Sequence, residues 1–217
     1  MKIIEPSVEL IDPIVGVEGA ILRRLEEIGR TCYKSEDKLT ATSAADFVRR
    51  LIASGHHSVL EHVSLSVRFT VDRGVSHEIV RHRIASYSQE STRYCNYSKD
   101  KFGNEITIIR PCYFEEGSGN YVVWEAACRV AEKAYFGLLK QGCKPEEARA
   151  VLPMSLKTEL VMTANLREWR YFLALRTAKA CHPQMRQAAG MLLDVLAFSL
   201  PVIFGDLQHR QVAKEEK

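Results

Sequence analysis

The stretch His62-Val-Ser-Leu-Ser-Val-Arg-Phe-Thr-Val-Asp72 decides the fold class. Val63, Leu65, Val67, Phe69 and Val71 alternate with Ser64, Ser66, Arg68 and Thr70, the period of two of a strand with one buried face. Such a face needs a cover, and helical spacing supplies it on both sides. Upstream, Ile21, Leu22, Leu25 and Ile28 predict a helix from about Val17 to Ile28. Ala45, Phe47, Val48, Leu51 and Ile52 predict another from Thr42 to Ser54, stopped by Gly55. Lys2 to Ile4 reads as a short strand rejoined at Val8 to Ile11. Downstream, Gly74 breaks the strand and Ser76 caps a short helix through about Arg83. Ser86 to Asn104 has no sustained period and reads as an ordered functional loop. Glu105 to Ile109 is a brief strand ended by Pro111. A long helix covers Tyr121 to Gln141, capped by Ser118 or Asn120, and Pro145 starts a short one at Glu146 to Val151. Lys157 to Thr163 reads as a strand, followed by helices at about Leu166 to Ala178 and Pro183 to Phe198. With no repeat or linker, the expectation is one α+β domain over residues 1–217, a mixed or antiparallel sheet flanked by helices.

Composition narrows the function classes. At 217 residues, 46% hydrophobic and 26% charged, the chain is neither disordered nor collagen-like. Thirty Lys and Arg against 27 Asp and Glu leave a net charge of +3, too weak a bulk field to imply a nucleic-acid partner, so anion binding must be local. The uncharged run Val195 to Gly205 is too short to span a bilayer and contains Pro201, and MKIIEPSVEL is not a secretory signal. A cytoplasmic protein without a membrane partner is expected. Six cysteines lie without a C-x-x-C pair and are expected to be reduced and mostly buried.

Three constellations carry chemistry. The first is R-H-R-I-A-S-Y-S-Q-E-S-T-R-Y at Arg81 to Tyr94, in which Arg81, His82, Arg83 and Arg93 stand among hydroxyls with Glu90 as the only acid and no Lys. Guanidinium forks and hydroxyls suit a phosphorylated ligand, although a solvated surface loop has the same composition. The second is Arg176, which helical spacing places near the middle of the side shared by Leu166, Trp169, Phe172 and Leu173, while Arg167 and Arg170 point elsewhere. A guanidinium there needs either a carboxylate of the chain or a bound ligand. The third is G-H-H-S-V-L-E-H at Gly55 to His62, which lacks the ligand spacing of a zinc site and sits on a turn where His and Ser can line a cleft. No metal is expected. A non-enzymatic nucleotide or nucleic-acid binding module using the Arg/Ser/Tyr loop is the alternative to an enzyme.

R-H-R, seven further residues and then Ser91 resembles the signature of the flavin-dependent thymidylate synthases. Ser86, Arg93 and Tyr94, the upstream G-H-x-S/T-x-x-E-H segment and the downstream A-R-x-V-L-P and N-x-R elements occur in the family's order, over roughly Gly55 to Arg186. The resemblance implies a homotetramer that binds FAD and converts dUMP to dTMP, with methylenetetrahydrofolate as carbon donor and NADPH as reductant. It implies FAD contacts at Ser58, Arg81, His82, Arg83, Gln89, Asn165, Arg167 and Tyr171, and a flavin and folate wall at His56. For dUMP it implies Glu78, Arg81, Gln89, Glu90, Ser91, Thr92, Arg93 and Arg149, with Arg176 as the catalytic residue that polarises the uracil. Glu78, Ser88, Gln89 and Tyr171 depart from residues found in some relatives. No G-x-G-x-x-G is present, so Arg and polar side chains must hold the flavin phosphates.

Overall fold

In the computed structural model, which describes residues 1–13 and 16–215, the alternating stretch forms a strand whose Leu65, Val67, Phe69 and Val71 are at most 2% exposed. The elements run β1 (Lys2–Ile4), β2 (Ser7–Leu10), α1 (Glu18–Thr31), α2 (Ser43–Ala53), β3 (Ser64–Asp72), α3 (Arg73–Ile79) and β4 (Ala85–Gln89). They continue through β5 (Thr107–Ile109), α4 (Gly119–Lys140), α5 (Pro145–Ala148), β6 (Lys157–Asn165), α6 (Leu166–Arg176), α7 (Pro183–Ser199) and α8 (Pro201–Glu215). The architecture is α+β, with two sheets where one was expected: a four-stranded sheet in the order β2-β3-β6-β4 and a parallel pair of β1 with β5. None of the described helices is long and apolar enough to cross a membrane.

The chain divides into two compact units. The first comprises Met1–Ser7, Phe69–Arg81 and Tyr87–Val161. In it β1 and β5 pair from Lys2 with Thr107 to Ile4 with Ile109, and Ile106, Ile108, Tyr135 and Leu156 are at most 1% exposed in its core. The second comprises Val8–Arg68, His82–Ser86 and Met162–Lys217. There α1 packs on α2, α6 on α7 and α7 on α8, burying Leu25, Val48, Trp169, Phe172, Leu192 and Phe204. Gly29 makes the first of these approaches possible: a Cβ there would lie 2.8 Å from the Phe47 ring.

Several local expectations are corrected. Asp72, not Ser76, caps α3, its Oδ1 accepting the Val75 N–H at 2.8 Å. Gly74 lies inside the helix, where a Cβ would stand 3.0 Å from that carboxylate oxygen. The helix ends at Ile79, leaving Arg81, His82 and Arg83 outside it, with His82 buried between two exposed arginines. The first part of the aperiodic loop is strand β4, whose A-S-Y-S-Q sequence shows no apolar alternation because it is the terminal strand of its sheet and carries polar side chains. The uncharged C-terminal run opens α8, with Pro201 at its first position. All six cysteines stand outside disulfides, but only Cys128 is buried, and Cys32, which follows α1, and Cys112 are exposed. Replacing Asp72 by Ala is expected to cost about 1 kcal/mol as a lost cap. Thermal unfolding should then show Tm lower by about 2–4 °C.

Candidate active site

In the first unit the β4 end of the arginine-rich segment is pinned through its side chains. Gln89 Nε2 donates to Ser76 Oγ at 2.9 Å and to Thr158 Oγ1 at 3.2 Å. The Glu90 carboxylate accepts from Tyr97 Oη and Lys157 Nζ, each at 3.0 Å, and its backbone N–H donates to Glu159 O at 2.9 Å. Burial, with the Glu90 charge beside it, pushes the Tyr97 hydroxyl well above the phenol range. Burial lowers the Lys157 ammonium, but its hydrogen bonds with Glu159 and Glu90 outweigh that and hold it above its ordinary value. Both groups therefore remain donors to Glu90, and the Lys157 ammonium opposes its charge.

Beyond these anchors the chain turns at Ser91 and Thr92 against two guanidinium groups. Arg149 Nη1 donates to Thr92 Oγ1 at 3.3 Å, and Arg73 Nη1 donates to Glu90 O and Thr158 Oγ1, also at 3.3 Å. Among the described residues neither arginine has a carboxylate partner. Arg73, Thr92 and Arg149 line a cavity of about 270 Å³ with Leu152, Met154 and Leu156. Two cations and a hydroxyl facing one space, held by long bonds to neutral oxygens, make a receptor for a dianion. The sequence reading missed Arg73; a cation directly after a strand with a buried face was the available signal. Arg93 instead reaches outward, its Nε 3.3 Å from Glu146 and its guanidinium over the Tyr94 ring, while Ser91 Oγ accepts the Arg93 N–H. Glu78 is half-buried and Arg81 exposed.

In the second unit, a 3-10 turn (His57–His62) follows α2, and Gly55, at φ +73°, makes the bend before it. His56 and Ser58 are exposed and line a cavity of about 400 Å³ with Cys32, Tyr33 and Arg167. Arg167 also lines a cavity of about 360 Å³ with Glu61, Ile84, Asn165, Glu168 and Tyr171, and its Nη1 lies 2.5 Å from Glu61 Oε1. Asn165 caps α6, its Oδ1 accepting the Glu168 N–H at 2.9 Å, so its NH₂ is the group it can offer a ligand. Arg83 is exposed.

The arginine assignments on α6 are redistributed. The core arginine with an acid partner is Arg170, which is 7% exposed and forked onto Asp206 at 2.7 and 2.8 Å, with a further bond to Ile203 O. Arg176, the last residue of α6, is half-buried instead of central to the apolar side, and its Nε donates to His82 Nε2 at 3.1 Å. His82 is 4% exposed, its Nδ1 is 2.9 Å from Glu168 Oε1, and its ring lies against Phe172 and Tyr171. Burial, reinforced by the Arg176 charge, outweighs Glu168 and lowers the proton affinity of His82. No sulfur is held toward thiolate at Cys95 or Cys128, where burial pushes the thiols up.

The chain is 34% identical over 184 residues to a flavin-dependent thymidylate synthase of Geobacter sulfurreducens, covering 82% of this chain and 78% of the relative. It is 35% identical over 209 residues to one of Mycolicibacterium gilvum, covering 88% and 80%. The crystal structure of a UMP/dUMP methylase, PolB from Streptomyces cacaoi, bound with 5-Br dUMP, superposes with a TM-score of 0.76 at 26% identity over 96% of this chain and 97% of that one. The family model described as thymidylate synthase complementing protein matches residues 20–202. With the R-H-R-x7-S segment inside that match, the chain belongs to this family of flavin-dependent thymidylate synthases.

Proposed function

We propose that the chain is a flavin-dependent thymidylate synthase that converts dUMP, 5,10-methylenetetrahydrofolate, NADPH and a proton to dTMP, tetrahydrofolate and NADP⁺. The observation that carries this reading is the pair Arg73 and Arg149, which face one cavity with Thr92 and, among the described residues, donate to neutral oxygens only. That pair suits the phosphate of dUMP, next to the signature serine Ser91. Ser91, Thr92 and Arg93 bind the same nucleotide, together with Glu78 and Arg81. Gln89 and Glu90 serve it through the backbone, since their side chains are committed to Ser76, Thr158, Tyr97 and Lys157. Arg176 is the catalytic residue: donors aimed at the uracil stabilise the negative charge that builds on N3 and the adjacent carbonyl, making C5 nucleophilic.

FAD fits the donor set of the second unit. Arg167 borders two cavities, and Arg83 is an exposed cation for phosphate oxygens. Asn165, Ser58 and His56 offer polar contacts, and Tyr171, 59% exposed, offers an aromatic face. Arg81 and Gln89 complete the expected flavin set, and His82, whose two ring nitrogens are engaged by Glu168 and Arg176, serves it through its backbone. The flavin, when bound, supplies the hydride that turns a one-carbon unit into a methyl group. The chain acts as one synthase domain over residues 1–217 and assembles as a cytoplasmic homotetramer. Exposed Val122, Val123 and Val130 on α4 and Phe198, 84% exposed, favour such self-association.

The purified protein should be yellow and should form dTMP from dUMP and methylenetetrahydrofolate with NADPH in the absence of oxygen, as read by chromatography. Light scattering should give four times the mass of one chain. A colourless protein that binds polynucleotide with steep salt dependence would instead be the binding module.

A further inference from the structure

Arg176, the residue assigned to the uracil, does not orient itself. Its Nε–H is used on His82, and a guanidinium has no acceptor, so the 3.1 Å bond exists only while His82 Nε2 carries a lone pair. The imidazole proton must then sit on Nδ1, where Glu168 Oε1 receives it at 2.9 Å. Both supporting groups are sequestered, His82 at 4% and Glu168 at 9% exposure. Along α6, Glu168, Phe172 and Arg176 recur every fourth residue, and the His82 ring packs tilted against the middle member with centroids 4.8 Å apart. The Asn165 cap fixes the first turn through the Glu168 N–H, where a carboxylate is also favoured by the helix dipole.

We propose that Glu168 is a positioning residue that fixes the tautomer of His82, so that His82 Nε2 sets the plane of the Arg176 guanidinium toward the uracil. The inference rests on the synthase reading of the site. A planar guanidinium whose Nε–H direction is fixed presents Nη1 and Nη2 in one plane, the requirement for paired hydrogen bonds to a pyrimidine edge. Protonation of His82 would turn Nε2 into a donor facing another donor and break the bond that sets the direction of the Arg176 Nε–H. The titratable groups against the imidazole include Glu168, Tyr171 and Arg176, all on α6. Glu168 favours the proton and Arg176 opposes it, while burial keeps the ring neutral. The relay is therefore intact above the acidic range and fails as pH falls.

Two variants test it in the flavin-loaded enzyme. Glu168→Ala should lower kcat for dTMP about 30- to 100-fold, the scale of an ångström-sized misplacement of a reacting group. KM for dUMP should stay within about threefold and flavin content per subunit should be unchanged. Glu168→Gln keeps an oxygen for the Nδ1–H but loses the charge that favours protonation, so it should retain most of kcat with the acidic limb of the kcat profile moved to lower pH. Should the alanine variant not fold, the limb shift in the glutamine variant decides alone. Full kcat in Glu168→Ala, or an unmoved acidic limb in Glu168→Gln, removes the relay while leaving the synthase reading intact. No dTMP from the wild-type protein removes both.

Discussion

Arg176→Ala is expected to form dTMP about 10²- to 10³-fold more slowly than the wild-type enzyme, the effect of deleting one donor to developing negative charge. The flavin should stay bound, because the residues proposed to hold it lie elsewhere: Arg167, Asn165 and Tyr171 in the first two turns of α6 and its cap, and Ser58 on the histidine turn. The fold should hold as well. Arg176 ends α6 and is half-buried, whereas Arg170, on the same helix, is buried and forked onto Asp206. An interaction made only as charge develops lowers kcat and kcat/KM together, and that equality is the measurement. Arg176→Lys restores the charge but neither the Nε–H that His82 accepts nor the fork, so it should recover little of the rate. Retained turnover in the alanine variant would remove the assignment of Arg176 to the uracil.

The elements that the sequence exposed are those whose apolar side chains repeat. β3, α1, α2, α4 and α7 bury a face, and their periods of two or 3.6 are written in the residues. β4 escaped because Ser86, Ser88 and Gln89 do not serve a core. The start of α3 escaped because its cap, Asp72, is also the last residue of the strand, so strand and helix meet with no residue between them. The site was legible as a composition, a run of arginines and hydroxyls, and not as contacts. Angular spacing on α6 put Arg176 in the apolar stripe and Arg170 outside it, yet a long side chain can leave its own radial direction, and α8, not recognised as a helix, brings Asp206 to Arg170. The spacing of Glu168, Phe172 and Arg176 was available in the sequence, but its meaning depends on His82, whose ring joins it from outside the helix.

Arg149→Ala should act differently, raising KM for dUMP about 10- to 100-fold with kcat at saturating nucleotide changed little. A charge-assisted hydrogen bond contributes about 1.5–3 kcal/mol, and 1.4 kcal/mol is a factor of ten. A phosphate is as charged before methyl transfer as after it, so its partners contribute uniform binding and leave the barrier alone. Arg149 reaches the cavity from the short 3-10 turn (Arg149–Val151) after α5, where its side chain makes a long bond to Thr92 and, among the described residues, no ion pair, so its removal leaves no described carboxylate unpaired. Arg73→Ala should weaken dUMP in the same sense, and the double variant should depart from the product of the two losses, because both cations serve one phosphate and groups that share a partner couple. Added inorganic phosphate should compete with dUMP in the wild-type enzyme and lose that effect in the double variant. A kcat that collapses with KM unchanged would mean that Arg149 meets the reacting ring instead, and the cavity of Arg73, Thr92 and Arg149 would no longer stand as the phosphate site.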